Sequence, residues 1–549
     1  MGGIELGPFD LKEPVGRGGT GVVYRGVHRE TGLPVAVKVL HPGAMRNGAP
    51  PEAFRNEVKA IAALDHPSII WIVDVGLVDD VAHEQSNHTL TRGHPYLAME
   101  YASGGTLGEW IPPDFDAVFA MLQDLLGALA HGHARSLVHR DLKPGNVLRC
   151  TDADVRPGWK LTDFGIATNF ERTVERSLPG GIVGTLSYMS PEQITGNWRM
   201  FGPWTDLYAL GCVVYKVLAG RRPWDTARGA ALFAAHLERR PDPLRSKIPV
   251  PDGFHEWVAV LMEKRPQDRF QTAAEAALAL EHLTQRSDAQ APSPEDEAWG
   301  IDRDTEVIAL PREGREPSGL PRDWRAHETP PPPPRLMGAG LSVLGLRPPP
   351  LVGRVHERNV LWSNLRRTAL SGERHLVVLR GHRGVGKTRL ARWVGEQAHE
   401  LAGLPFLIGE ARRGEPPEMA TARPLRRWLH TERLNPEERL LRIRDTFDDA
   451  TDEWCQDLSA LLGDEPAGEL GALGDEMRHV ALGQALARLG DPTRPNVLVL
   501  DDAQASDDLL RFVLHLMAAP NEGAATLIVV VLQEEALVRE SPVAPLVDR

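Results

Sequence analysis

The chain has 549 residues, 42% hydrophobic and 25% charged, with a formal net charge of −13. That length exceeds what one core organises, and the apolar content is that of soluble globular protein. The acidic balance argues against general attraction to nucleic acid or anionic membrane, and the three dispersed cysteines, Cys150, Cys212 and Cys455, read as reduced structural thiols without metal or redox spacing.

The opening MGGIELGPFDLKEP has neither the basic leader nor the apolar run of a secretory signal, so a cytoplasmic protein is expected. The longest apolar stretches, around Leu207 to Ala219 and Ala524 to Leu532, are too short to cross a bilayer, and no membrane partner is expected. The first element, EPVGRGGTGVVYRG, carries Val15, Gly16, Gly18, Gly21 and Val23. Alone, GxGxxG fits dinucleotide folds as well as phosphate-covering loops. Its flanks, Leu11 to Val15 and Val22 to Val27, read as two strands of a hairpin, not as a strand feeding a helix. Glycines there let backbone N–H groups approach phosphates.

PVAVKVL then places Ala36 and Lys38 on an alternating strand, and an inward-facing lysine there needs an anionic partner. FRNEVKAIAAL reads as a helix bearing Glu57, and PYLAMEYASGGTL, which holds Met99, Glu100 and Ala102, as a strand running into a hinge. The loop between them contains His83, His88 and His94 at no fixed ligand spacing and reads as a solvated insertion.

HRDLKPGN, from His139 to Asn146, and DFG, from Asp163 to Gly165, follow. Phosphoryl transfer needs a carboxylate facing the attacking hydroxyl and groups that hold magnesium on the phosphates. Asp141 suits the first task, Asn146 and Asp163 the second. These motifs resemble the catalytic core of eukaryotic-like serine/threonine protein kinases. The resemblance implies that the glycine loop covers ATP and that Val15, Val23, Ala36, Met99 and Leu148 line the adenine pocket. It also implies adenine contacts from the Glu100 and Ala102 backbone. Lys38 would pair with the phosphates and Glu57, and Lys143 would neutralise the transferred group. Asp206, in DLYALG, would brace the catalytic loop, and Glu192 of SPE would pair with Arg269. Arg140 implies control by activation-loop phosphorylation, with Thr173 and Ser177 favoured over Thr168 and a structural Thr185.

Near Arg286 the composition turns rich in Pro, Glu, Asp and Arg, with five prolines from Pro330 to Pro334. Such a segment buries too little to order itself and reads as a spacer with a polyproline II piece. From Leu351 order resumes. HLVVLRGHRGVGKTRL runs a strand into Gly381, Gly384, Gly386, Lys387 and Thr388 and then a helix, a complete GxxxxGKT phosphate loop in its confirming context. NVLVLDD ends a second strand in Asp501, for the magnesium shell, and Asp502, to polarise water. With GRVHE at Gly353 to Glu357 these features resemble an AAA/STAND-type ATPase module, in which Arg354 would approach the nucleotide. By that resemblance a fifth strand, a sensor arginine and a lid are wanting, so the module is expected to be truncated and to turn over slowly.

The expected fold is therefore multidomain. An α+β bilobal kinase domain at 9–284 (lobes 9–101 and 102–284) precedes a disordered linker at 285–350 and an α/β P-loop domain at 351–549. The expected function is a serine/threonine protein kinase that phosphorylates protein substrates and itself, using ATP and Mg2+, with Mn2+ as an alternative, beside a regulatory module with secondary ATPase activity. Self-association through either domain is a further expectation. The competing class is a nucleotide-dependent switch or scaffold whose kinase activity is mainly autoregulatory.

Overall fold

The computed structural model describes residues 3–18, 21–41, 58–164, 186–289, 319–328, 333, 336, 351–412, 414–432, 434–463, 475–490, 494–520 and 523–536. Glu57, Thr168, Thr173, Ser177 and Thr185 lie outside the described residues. The chain divides into two compact units, Met1–Ala291 with His327–Pro350, and Pro292–Ala326 with Leu351–Arg549.

The first unit begins with β1 (Ile4–Leu6), β2 (Phe9–Gly18), β3 (Gly21–His28), β4 (Pro34–Leu40), β5 (Ile72–Leu77) and β6 (Pro95–Glu100). They form one antiparallel sheet in the order β1-β2-β3-β4-β6-β5. Alternation along β4 decides what faces where. Val35, Val37 and Val39 enter the lobe's core with Leu6, Phe9 and Tyr24, which turns Ala36 and Lys38 to the opposite face. Cross-strand register places Val23 opposite Lys38 and Met99 opposite Ala36. One sheet face thus gathers four of the expected nucleotide-lining residues. Gly21 is required by space, since a Cβ there would lie 2.2 Å from the Val39 carbonyl oxygen.

The histidine-bearing insertion departs from its reading as a loop. It contains a helix, Asp80–Gln85, because Asp79 caps the Ala82 N–H at 2.8 Å and Ala82 joins the lobe's core. His83 and His88 contact each other across 2.9 Å, and among the described residues no group of three metal-ligating side chains forms.

A second core lies around the helices Phe115–Ala134 and Pro203–Ala219. Asp114 caps the first by accepting from the Ala117 N–H. The second starts on Pro203 and stops at Gly220, whose φ of +71° favours glycine. It is apolar almost all round because it is surrounded. Between these helices β7 (Val147–Cys150) and β8 (Gly158–Leu161) form an antiparallel hairpin. The helix Ala273–Ala289 runs five residues past the expected boundary at 284.

The second unit holds β9 (His375–Gly381), β10 (Phe406–Glu410), β11 (Asn496–Asp501) and β12 (Thr526–Gln533), all parallel, in the order β10-β11-β12-β9. Leu498, Leu500, Ile528, Val530 and Leu532 belong to one core cluster. Val497, Val499, Leu527, Val529 and Val531 belong to another. Neighbouring residues of one strand therefore feed opposite cores, as a parallel sheet covered on both faces requires. Among the described residues β9 pairs on one side only, with β12.

Two pieces of the expected linker are packed. Leu320 and Trp324 sit in the second unit's core, where the Trp324 ring lies edge-on to Trp393 at 5.1 Å and 3.7 Å from the Arg358 guanidinium. Trp362 Nε1 donates to the Pro321 carbonyl at 3.0 Å. Leu336 is buried in the core of the first unit's sheet. A composition-based reading averages over such anchors, since three large apolar residues barely change a polar, proline-rich background.

Two candidate nucleotide sites

The first site lies where β4, the loop before β7 and the end of β8 meet. Lys38 Nζ lies 2.7 Å from Asp163 Oδ2, a pairing that answers the cost of a lysine only 4% exposed. Asp163 itself has a φ of +62°, a left-handed backbone that turns its carboxylate away from the line of the preceding strand. Thr162 donates from its N–H to the Asn146 carbonyl at 3.0 Å, placing Asp163 beside the catalytic loop.

Within that loop Asp141 is the hub. Lys143 Nζ donates to its Oδ2 at 2.7 Å, and Asn146 Nδ2 donates to its carbonyl at 2.7 Å and to Oδ2 at 3.1 Å. His139 is fully buried and structural: Nε2 donates to the Thr162 carbonyl while Nδ1 accepts from the Asp141 N–H. Asp206 supports the loop from below, accepting from the His139 N–H at 2.7 Å, the Arg140 N–H at 2.8 Å and His133 Nε2 at 2.8 Å. Burial alone would raise the Asp206 carboxyl. The His133 bond and charge, His139 and the Arg140 N–H outweigh burial and hold it below the ordinary carboxylate value.

Sequence reasoning found Asp206 but missed His133 and Gln193. Gln193 Nε2 donates to the Arg140 carbonyl at 2.7 Å, tying the helix Pro191–Ile194 to the catalytic loop. Their side chains carry no motif of their own. Glu192 and Arg269 form a two-pronged buried ion pair at 2.9 and 3.0 Å. Met99, behind Ala36, receives the Thr162 hydroxyl at its sulfur. Leu148 is half-buried on β7, and Val15 is half exposed on β2.

The second site is the turn from β9 into the helix Lys387–Ala402. Gly381, Gly384 and Gly386 all have positive φ, which a side chain would strain. Lys387 Nζ donates to the Gly381 and His382 carbonyls, both at 2.7 Å, and so curls over its own loop. Thr388 Oγ1 donates to Asp501 Oδ1 at 3.0 Å, joining the two expected magnesium ligands. Burial, with neighbouring Asp502, pushes the Asp501 carboxyl up against the Thr388 hydrogen bond. Arg354 Nη2 donates to the Val385 carbonyl at 3.1 Å, within the phosphate loop. Gln533, at the end of β12, was missed from sequence. Its Nε2 donates to Asp502 Oδ1 at 2.6 Å, beside Gln504 at 3.2 Å.

Comparison with known proteins fits both sites. A family model for the protein kinase domain matches residues 9–282, and one for an AAA ATPase domain matches residues 350–530. The chain joins a protein kinase domain to an AAA ATPase domain. Serine/threonine-protein kinase Pkn1 of Myxococcus xanthus is 35% identical over 337 residues, covering 60% of this chain and 46% of that protein. PrkC of Bacillus subtilis is 31% identical, covering 49% of this chain and 39% of that protein. PknL of Mycobacterium tuberculosis is 34% identical, covering 50% and 65%. The chain thus spans between 39% and 65% of these relatives. In the kinase domain Lys143 and Asn146 bond Asp141 and Lys38 bonds Asp163, and in the ATPase domain Thr388 bonds Asp501.

Proposed function

We propose that this protein transfers the γ-phosphoryl group of ATP to serine and threonine hydroxyls of protein substrates, its own chain included. The observation that supports this most is that Lys143 and Asn146 bond Asp141 while Lys38 bonds Asp163, with the Thr162–Asn146 backbone bond joining the two groups. Bound ATP would supply the transferred group, with Mg2+ shielding its charge. The oxygens available to Mg2+ are those of Asn146 and Asp163, a hard donor set that suits a hard cation, and Mn2+ would be accepted on the same ground. Asp141 orients the incoming hydroxyl and takes its proton, while Lys143, already beside that carboxylate, faces the developing charge. Glu100 and Ala102 would hold adenine by backbone groups, and Glu57 would complete the Lys38 site. Among the described residues no helix is long and apolar enough to cross a membrane. The three cysteines are buried and unpaired, which supports a cytoplasmic setting.

The deciding measurement is phosphate transfer from labelled ATP to a generic serine-rich protein and to the chain itself. Wild type should label both, and Asp141→Asn neither. Equal labelling by the two would overturn the proposal. A second reading, a nucleotide-dependent switch, is favoured by the intact phosphate loop with Thr388 already on Asp501. ATP-driven self-association that survives Asp141→Asn would support it.

A further inference from the structure

The end of β6 holds a buried carboxylate with an unusual set of partners. Glu100 is 3% exposed. Its Oε1 accepts from the Trp71 N–H at 2.8 Å and from Arg156 Nη2, and its Oε2 accepts from Arg156 Nε at 3.1 Å. Lys160 Nζ, fully buried on β8, lies 4.0 Å away. The Glu100 N–H donates in turn to the Trp71 carbonyl at 2.9 Å, so residues 71 and 100 clasp each other twice.

Arg156 is the residue that joins this clasp to the rest of the domain. It comes from the loop between β7 and β8. Nη2 also donates to the Ile69 carbonyl at 2.7 Å and Nη1 to the His66 carbonyl at 3.3 Å, with the guanidinium 5.4 Å from the Trp71 ring centre. One planar fork therefore fixes three things: the 66–69 turn, β5's entry at Trp71 and the last residue of β6. Lys160 is a weaker counter-ion. It stands farther off, donates to the Pro67 carbonyl, and its ammonium is lowered by burial, whereas a guanidinium stays charged.

A buried ion pair of this kind adds little net stability compared with apolar residues of similar shape. Its geometric effect is larger. The chain leaves β6 at Glu100, and the next backbone groups are those assigned above to the adenine edge. We infer that Arg156 is a specificity-determining positioning residue: by gripping the Glu100 carboxylate it sets the backbone between Glu100 and Ala102 that reads adenine. This rests on the kinase reading proposed above.

Initial rates of the full chain, with ATP and GTP varied at saturating protein acceptor, test it. Arg156→Met should raise KM for ATP about tenfold, leave kcat within about twofold, and narrow the preference for ATP over GTP, the signature of lost ground-state binding. Arg156→Lys, which restores the charge but not the fork, should recover part of the loss. Should Arg156→Met fail to fold, Glu100→Gln keeps the side chain's shape and the Trp71 bond and should show the same KM rise. A folded variant with unchanged KM and unchanged ATP preference, whatever its melting temperature, would overturn the inference, as would a fall in kcat alone. A wild-type chain that transfers no phosphate would instead remove the kinase reading and this inference with it.

Discussion

Lys38 and Asp163, 125 residues apart in the chain, meet at 2.7 Å. Lys38 is buried and Asp163 is one-quarter exposed, so the pair is asymmetric. Removing the lysine leaves a carboxylate that water can still reach, which limits the structural damage. Lys38→Met is therefore expected to lower phosphate transfer about a hundredfold or more, the scale of lost positioning and charge stabilisation. Its unfolding midpoint should stay close to wild type. Transfer within a few fold of wild type would refute the role given to Lys38.

Glu192 and Arg269 present the opposite case. Both are almost fully buried, and Arg269 also donates to the Glu263, Lys264 and Trp204 carbonyls. Arg269→Ala strands a carboxylate that, among the described side chains, Thr205 alone still hydrogen-bonds. The expected loss is about 3–5 kcal/mol of unfolding free energy, read by urea titration of the kinase domain's transition. A loss within experimental error would show that the pair is dispensable to the fold.

Acid should act on the kinase domain through Asp206. Its folded carboxyl lies below the ordinary value, so the unfolded chain binds a proton first as pH falls. The stability it contributes is fully present above the unfolded value and is lost as pH drops through the folded one. His133→Phe removes the hydrogen bond and charge that oppose burial, so its stability should fall at higher pH than wild type. Urea midpoints followed from neutral pH down through the carboxylate range would show this. Parallel curves for the two proteins would exclude His133 as the source.

In the ATPase domain the shift has the opposite sign, and acid again opposes function. Burial raises Asp501, so protons compete for it above the usual carboxylate range. Magnesium-dependent nucleotide binding should weaken as pH is lowered, approaching about tenfold per pH unit below that raised value. Lys387→Ala should weaken binding at every pH by removing the phosphate-facing charge. Calorimetric titration on an Asp141→Asn, Lys38→Met background isolates this site, and pH-independent binding would reject the Asp501 assignment.

Most of the candidate site was legible in sequence because phosphoryl transfer needs fixed residue types at fixed spacings. Asp141, Asn146, Asp163 and Lys387 each stand in a motif whose neighbours restrict the alternatives. The buried Glu192–Arg269 pair could be anticipated for the same reason. Partners drawn from distant elements could not. His133, Gln193, Gln533 and Arg156 act through positions that the fold supplies, and nothing local marks them. Trp324 and Leu336 escaped notice because isolated anchors in a polar background leave average composition almost unchanged.

The alternation of the ATPase sheet has a consequence for how this chain tolerates change. In β12, Leu527, Val529 and Val531 fill one core, and Ile528, Val530 and Leu532 the other. Exchanging one aliphatic residue for another there disturbs packing on one face only. Deleting one residue would turn every later side chain to the wrong side and draw Gln533 off Asp502. In this strand length is under stricter constraint than identity, and frame-preserving losses of one residue should be as damaging as a break in the strand.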